Sequence, residues 1–110
     1  MRQWHVDPAL LCRKHLLGEH VEHHMMVGTL RKNRSLAGHI ERGQIAVHTI
    51  IERHAALAAE MKRRGMQHSS PLPRGTHALV WTEGHVDSEA NLVELARRCS
   101  DCRARQRRAA

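Results

Sequence analysis

"PALLCRKHLLGEHVEHHMMVGTLRK", residues 8–32, is the stretch whose reading decides the fold. Asp7 followed by Pro8 is a helix-start signal, a capping acceptor and then proline in the first helical position. Beyond it no breaker is stronger than Gly18 and Gly28, so the stretch reads as one long helix. At helical spacing Leu10, Leu17, Val21, Met25 and Gly28 share one face. Arg13, His20, His24 and Arg31 share another, and His15, Glu19, Glu22 and Met26 a third. Leu16, Val27 and Leu30 make the rest apolar as well, and a helix apolar on more than one side belongs in the centre of a fold.

Outward from it, "NRSLAGHIERG" reads as a loop and a short helix, capped by Ser35 and stopped by Gly43. "QIAVHTIIERHAALAAEMKRRG" is a second long helix with Ile50, His54, Leu57 and Met61 on its inner face. Lys62, Arg63 and Arg64 suit the negative end of its dipole, and Gly65 ends it. "MQHSSPLPRGTH" is loop by its Ser, Pro and Gly content, and "ALVW" fits no element firmly. Asp87 or Ser88 caps a third helix, "SEANLVELARRC". The expected fold is all-α, a single domain over residues 1–102 with three main helices and one short one. Residues 103–110 read as a frayed basic tail.

Composition agrees. The 110 residues include no Phe or Tyr and only two Trp, Trp4 and Trp81, so Leu, Ile, Val, Ala and Met must build the core. That favours packed helices over a β-sandwich. Eighteen Lys and Arg against 11 Asp and Glu leave a charge of +7, which suits a polyanion, nucleic acid before an anionic membrane. No apolar run nears the ~20 residues of a membrane span, and "MRQWHVDPALL" lacks a signal-peptide layout. An odd cysteine count of three fits a reducing compartment. A monomeric protein of the bacterial cytoplasm or a phage-infected cell is the expectation.

Three constellations carry possible chemistry. His20, His23 and His24 beside Glu19 and Glu22 have the residue types of a metal set, but "HVEHH" is not the H-E-x-x-H pattern of a helical zinc pair. Partly protonated, the same histidines would add to a basic surface for phosphates. Cys99-x-x-Cys102 is half of a zinc site, which Cys12 or histidines would have to complete, and the plainer reading is two small thiols near a helix end. His15, Glu19 and Glu22 at i, i+4 and i+7 put two carboxylates on a half-buried face. Such groups either pair with arginines of a neighbouring helix or perform acid–base work.

Residues 10–32 are similar to the N-terminal helix of the phage endonuclease V-type pyrimidine-dimer DNA glycosylases. The likeness rests on His15-Leu16, Glu19, Glu22, Gly28 and the basic pair Arg31-Lys32, with Arg2 and Met1 in register at the front. "RHAALAAEMKRRG" and "HSSPL" resemble small bacterial and phage proteins of that description. The family's arginines beside its glutamate are here Val21 and Met25. The resemblance implies a helical DNA glycosylase/AP lyase that needs no metal or other cofactor. Met1 would supply the attacking α-amine and Glu22 the carboxylate that steadies the sugar cation and assists proton transfers. An α-amine titrates near ~7.7–8.0 against ~10.4 for a lysine, so far more of it is neutral and nucleophilic at pH 7.

The partner expected is double-stranded DNA carrying damaged bases or abasic sites, held by Arg2, Arg13, Lys14, His15, Arg31, Lys32 and Arg34. Two other readings stay open: a non-catalytic DNA-binding module, and a metal-dependent nuclease built from His20, His23, His24 and the cysteines.

Overall fold

Leu11, Leu16, Leu57 and Leu95 have no exposed surface, each burial being worth about 1.5–3 kcal/mol, and they anchor one half of the core. Trp4, Val6, Met61 and Cys102 complete that half. Met26, Val27, Leu36, Ile45, Val47, Ile50 and Val80 form the other. The computed structural model describes residues 1–68 and 70–110; Ser69, inside "HSSPL", lies outside the described residues. Among the described residues the chain is all-α, with no strand: α1 (Arg13–Arg31), α2 (Ala37–Glu41), α3 (Ile50–Arg63), α4 (Ser88–Arg98) and α5 (Ser100–Ala109). Among them no helix is long and apolar enough to cross a membrane.

The central helix spans both halves of the core, Leu16 lying in one and Met26 and Val27 in the other. It begins later than its cap signal suggests. Asp7 and Pro8 do start a helical turn, with the Asp7 carboxylate accepting from Ala9 N, but that turn is a 3₁₀ piece ending at Leu10. The Arg64 guanidinium donates to the Pro8 and Leu11 carbonyls at 3.1 and 2.7 Å, taking up acceptors that a continuous helix would use itself. The chain then runs extended through Leu11 and restarts with Cys12 as the N-cap, its Sγ accepting from His15 N.

The apolar face of α1 is also not the one that spacing favours. Val21 and Met25 are 55% and 52% exposed, and the buried face carries Leu16, Glu19, His20, His23, Met26 and Val27. Hydrophobicity on every side leaves the choice of inner face to what the neighbours offer, and α3 offers the partners for Glu19 and His20.

In α3 the expected inner residues Ile50, His54, Leu57 and Met61 are all buried, and Gly65 terminates it at φ +78°. Ser35 accepts from Ala37 N at the start of α2. Gly84 has a steric reason for its identity: a Cβ there would lie 2.6 Å from the Ile45 carbonyl oxygen.

The largest departure is at the C-terminus. Residues 100–109 are helical, giving four substantial helices among the described residues in place of three, and a folded α5 in place of a frayed tail. Cys102, fully buried, anchors α5 in the core. Arg103, Arg105 and Gln106 donate to the Ala96, Ala9 and Leu92 carbonyls. The break between α4 and α5 is one extended residue, Cys99.

Candidate active site

Gln3 positions the chain terminus. Its side chain is fully buried; its Oε1 accepts from Ala46 N at 2.8 Å, and its Nε2 donates to Thr49 Oγ1 and to His23 Nε2. His23 Nδ1 in turn donates to the Glu19 carbonyl, so the ring joins the terminal segment to the middle of α1. The Gln3 amide donates to the Gln44 carbonyl, Asn91 Nδ2 to the Trp4 carbonyl, and Arg53 to the Val6 carbonyl. A segment hydrogen-bonded to six partners, Ala46, Thr49, His23, Gln44, Asn91 and Arg53, does not fray as termini usually do. It folds back along α1 and leaves the Met1 nitrogen 4.0 Å from Glu22 Oε1.

Glu22 and Glu19 line one cleft of about 560 Å³ with Arg2, Trp4, Lys14, His15, Leu17, Val21 and Arg98. Glu19 lies at its floor with no exposed side chain. Arg53 grips it through two parallel hydrogen bonds, Nε to Oε2 at 2.7 Å and Nη2 to Oε1 at 2.9 Å. The structural reading therefore holds for Glu19. Glu22 is 31% exposed and, among the described residues, has no arginine clamp. Burial pushes its carboxyl above the ordinary 4.5, against the pull of the Met1 ammonium and the Arg2 backbone N–H, with Glu19 adding to the rise. A carboxylate that faces an amine across an open cleft, with its proton affinity raised, suits proton transfer and cation stabilisation.

The expected basic residues occupy three places. Arg2 lies within the cleft, its guanidinium carbon 3.8 Å from the centre of the Trp4 ring and its Nη2 donating to Asn91 Oδ1. Burial and then Arg98 hold its pKa below the usual value. Lys14 is exposed on the cleft rim. Arg13 borders a separate hollow with Arg105 and Arg108. Arg31, Lys32 and Arg34 are exposed at the far end of α1, where Arg31 is nine residues, or roughly 13 Å along the axis, beyond Glu22. His15 lines the cleft, but its Nδ1 lies 3.2 Å from Cys12 Sγ and 3.5 Å from Cys102 Sγ. Burial, then Arg98 and Lys14, hold its ring below the usual 6.5.

The histidines of "HVEHH" part company. His23 belongs to Gln3, whereas His20 and His24 join His54 and His68 in a group of rings packed in tilted and edge-on contacts, with His20 Nε2 2.7 Å from His68 Nε2. Burial first, then the neighbouring rings, lowers His20 and His54 to about 4, so these two add nothing to a basic surface at neutral pH. The set His20, His23, His24 and the cysteines is not brought together. The groups close enough to hold a metal, among the described residues, are His20, His54 and His68, and separately Cys12, His15, Cys99 and Cys102.

Sequence reasoning missed Gln3, Trp4, Arg98 and Asn91. Nothing local marks them, because each acquires its part through a contact at least 20 residues away or from the far end of the chain.

No curated protein and no solved structure matches the chain. A family model described as pyrimidine dimer DNA glycosylase matches residues 1–73, which take in the terminal segment, α1 with Glu19 and Glu22, and α3 with Arg53. That span covers most of the chain and most of the cleft, and the chain belongs to the pyrimidine dimer DNA glycosylase family.

Proposed function

We propose that this protein is a DNA repair glycosylase with AP lyase activity, acting on pyrimidine dimers or related damaged bases through the Met1 α-amine and Glu22. The observation that carries the reading is the 4.0 Å approach of the Met1 nitrogen to Glu22 Oε1 beside a cleft of nucleotide size. The neutral amine attacks C1′ of the damaged nucleotide. The C1′–N bond breaks, and its electron pair leaves with the base, which gains a proton. The sugar ring opens as the amine nitrogen forms an iminium with C1′. Loss of a C2′ proton then expels the 3′ phosphate oxygen and nicks the strand. Glu22 stabilises the cationic sugar and iminium and relays protons, and its raised pKa suits the second task.

Reaching C1′ requires extruding a nucleotide from the duplex. Trp4, Leu17 and Val21 give the cleft apolar walls for it. Arg2, Arg13, Lys14, His15, Arg31, Lys32 and Arg34 hold the flanking DNA as a monomer does, on both sides of Glu22. His15 contributes its ring and the six others contribute charge.

Borohydride trapping on DNA with an abasic site tests the chemistry. Reduction of the iminium should leave a covalent adduct that peptide mapping locates on Met1. If an authentic free amino terminus gives no adduct while DNA still binds, the protein is a binding module and the lyase reading fails.

A further inference from the structure

Cys12-x-x-His15 and Cys99-x-x-Cys102 lie 87 residues apart in sequence, counted between their first cysteines, and each opens a helix. Cys12 is the N-cap of α1 and Cys99 the N-cap of α5, so each pair places two ligand atoms on one side of a first helical turn. The fold brings the two pairs face to face. Cys12 Sγ lies 3.9 Å from Cys99 Sγ and 3.2 Å from His15 Nδ1, which is 3.5 Å from Cys102 Sγ. All four atoms lie within 4.8 Å of one another. Zinc–sulfur bonds of ~2.3 Å and zinc–nitrogen bonds of ~2.0–2.1 Å in a tetrahedron require edges of roughly 3.5–3.8 Å. The three closest separations, 3.2, 3.5 and 3.9 Å, already lie within a few tenths of an ångström of those edges, and with the rest inside 4.8 Å, shifts of up to about an ångström would satisfy all of them.

The backbone around the sulfurs points the same way. His15 N donates to Cys12 Sγ at 3.4 Å, Cys102 N to Cys99 Sγ at 3.4 Å, and Cys12 N to Cys102 Sγ at 3.3 Å. A thiol sulfur is a weak acceptor and gains little from such donors, whereas a thiolate gains a charge-assisted hydrogen bond from each. The positive ends of two helix dipoles converge on the same place. Three thiolates together demand a cation, and three sulfurs with one imidazole in a tetrahedral arrangement select zinc among common divalent metals.

We propose that Cys12, His15, Cys99 and Cys102 form a structural zinc site that clamps the joint between α4 and α5 to the start of α1. Four protein ligands close the coordination sphere, so the ion holds structure and offers no open position for substrate. Its structural consequence lies next door. The His15 ring meets Trp4 edge-on at 5.8 Å, Trp4 carries Arg2, and Arg98 directly precedes Cys99, so the ion braces one wall of the cleft.

Elemental analysis of the full chain, expressed without a histidine tag in zinc-supplemented medium and purified without chelator, should find one zinc per protein. Cobalt(II) exchanged into the site should give the strong visible bands of tetrahedral geometry and a thiolate charge-transfer band. Cys102→Ser should weaken zinc binding beyond the roughly 10- to 100-fold cost of an outer-shell change. His15→Cys, which keeps four ligands, should retain one zinc and intensify the charge-transfer band, so a poorly folding serine variant leaves the question decidable. Protein that carries no zinc and leaves cobalt octahedral overturns the proposal, as does a Cys12–Cys99 disulfide in protein prepared under reducing conditions. Borohydride trapping reports separately on the lyase reading: zinc without an adduct leaves this site standing, and an adduct without zinc removes it.

Discussion

Glu19 and Glu22 stand less than one helical turn apart on the same side of α1, and the fold gives them opposite surroundings. Glu19 faces Arg53 at the cleft floor, fully buried and doubly hydrogen-bonded, with its charge balanced inside the protein. Glu22 stands on the cleft wall with the Met1 nitrogen 4.0 Å away and the Arg2 charge in the same cleft, and burial raises its pKa. Carboxylate chemistry follows from what surrounds the group: a clamped carboxylate supports structure, and a loosely partnered one remains available for reaction.

The sharpest way to separate the two is to remove one charge at a time. Under the proposed chemistry, Glu22→Gln should lower turnover on dimer-containing or abasic DNA by about 10³- to 10⁴-fold, about 4–5.5 kcal/mol of transition-state stabilisation, as single-turnover assays would measure. Its melting temperature should hold or rise slightly. A carboxyl whose pKa is raised on folding costs stability once ionised, and glutamine removes that cost. Activity within tenfold of the parent would exclude Glu22 as the reacting carboxylate. Arg53→Met should instead cost about 3–5 kcal/mol in urea denaturation, because it strands Glu19 as an unpaired buried charge. Adding Glu19→Leu to it should recover most of that loss. If Arg53→Met costs under ~1 kcal/mol, the clamp is not what Glu19 depends on.

Gln3→Ala tests how the terminus reaches Glu22. It removes buried hydrogen bonds to Ala46, Thr49 and His23, at about 1–3 kcal/mol of stability. Under the proposed chemistry it should also lower turnover by about 10²-fold at temperatures where the variant is fully folded, since the amine is no longer held in place. Unchanged turnover in folded protein would show that another element positions the amine.

The buried histidines yield a gentler effect. His20, His23 and His54 drop to about 4, with burial the first cause of each, while the unfolded chain titrates near 6.5. Between those values the unfolded state binds more protons, so their contribution is complete above pH 6.5 and is lost as pH falls towards 4. Denaturation midpoints measured across that window should decline steadily, and His23→Asn should flatten the decline; a pH-independent midpoint would contradict it. The smallest change belongs to the surface. Arg31→Ala and Lys32→Ala should each reduce the slope of log affinity against log salt by about one, with little change in stability, if both contact phosphate.

Much of the fold was legible. The break-free run of residues 13–31, the Asp87 cap, the Gly65 stop and the inner face of α3 follow from local spacing and capping chemistry, and each is present in the structure. The split before α1 was not, because it depends on Arg64 reaching back from the end of α3. Nor was α5, whose basic composition reads as solvated until Cys102 is seen packed in the core. The exposed Val21 and Met25 belong with these. On a helix apolar all round, the buried face is chosen by complementarity with α3.

By itself, then, the sequence determined that the chain is helical and basic, that one long helix carries two carboxylates on one side, and that a CxxC pair lacks its other half. Periodicity, charge and spacing are local properties and need no partner to be read. Tertiary structure decided which carboxylate is clamped by an arginine and which faces the Met1 nitrogen, which histidines lose their charge, and that Cys12 and His15 meet Cys99 and Cys102. Those outcomes depend on burial and on distances between atoms far apart in sequence, and only packing sets either one.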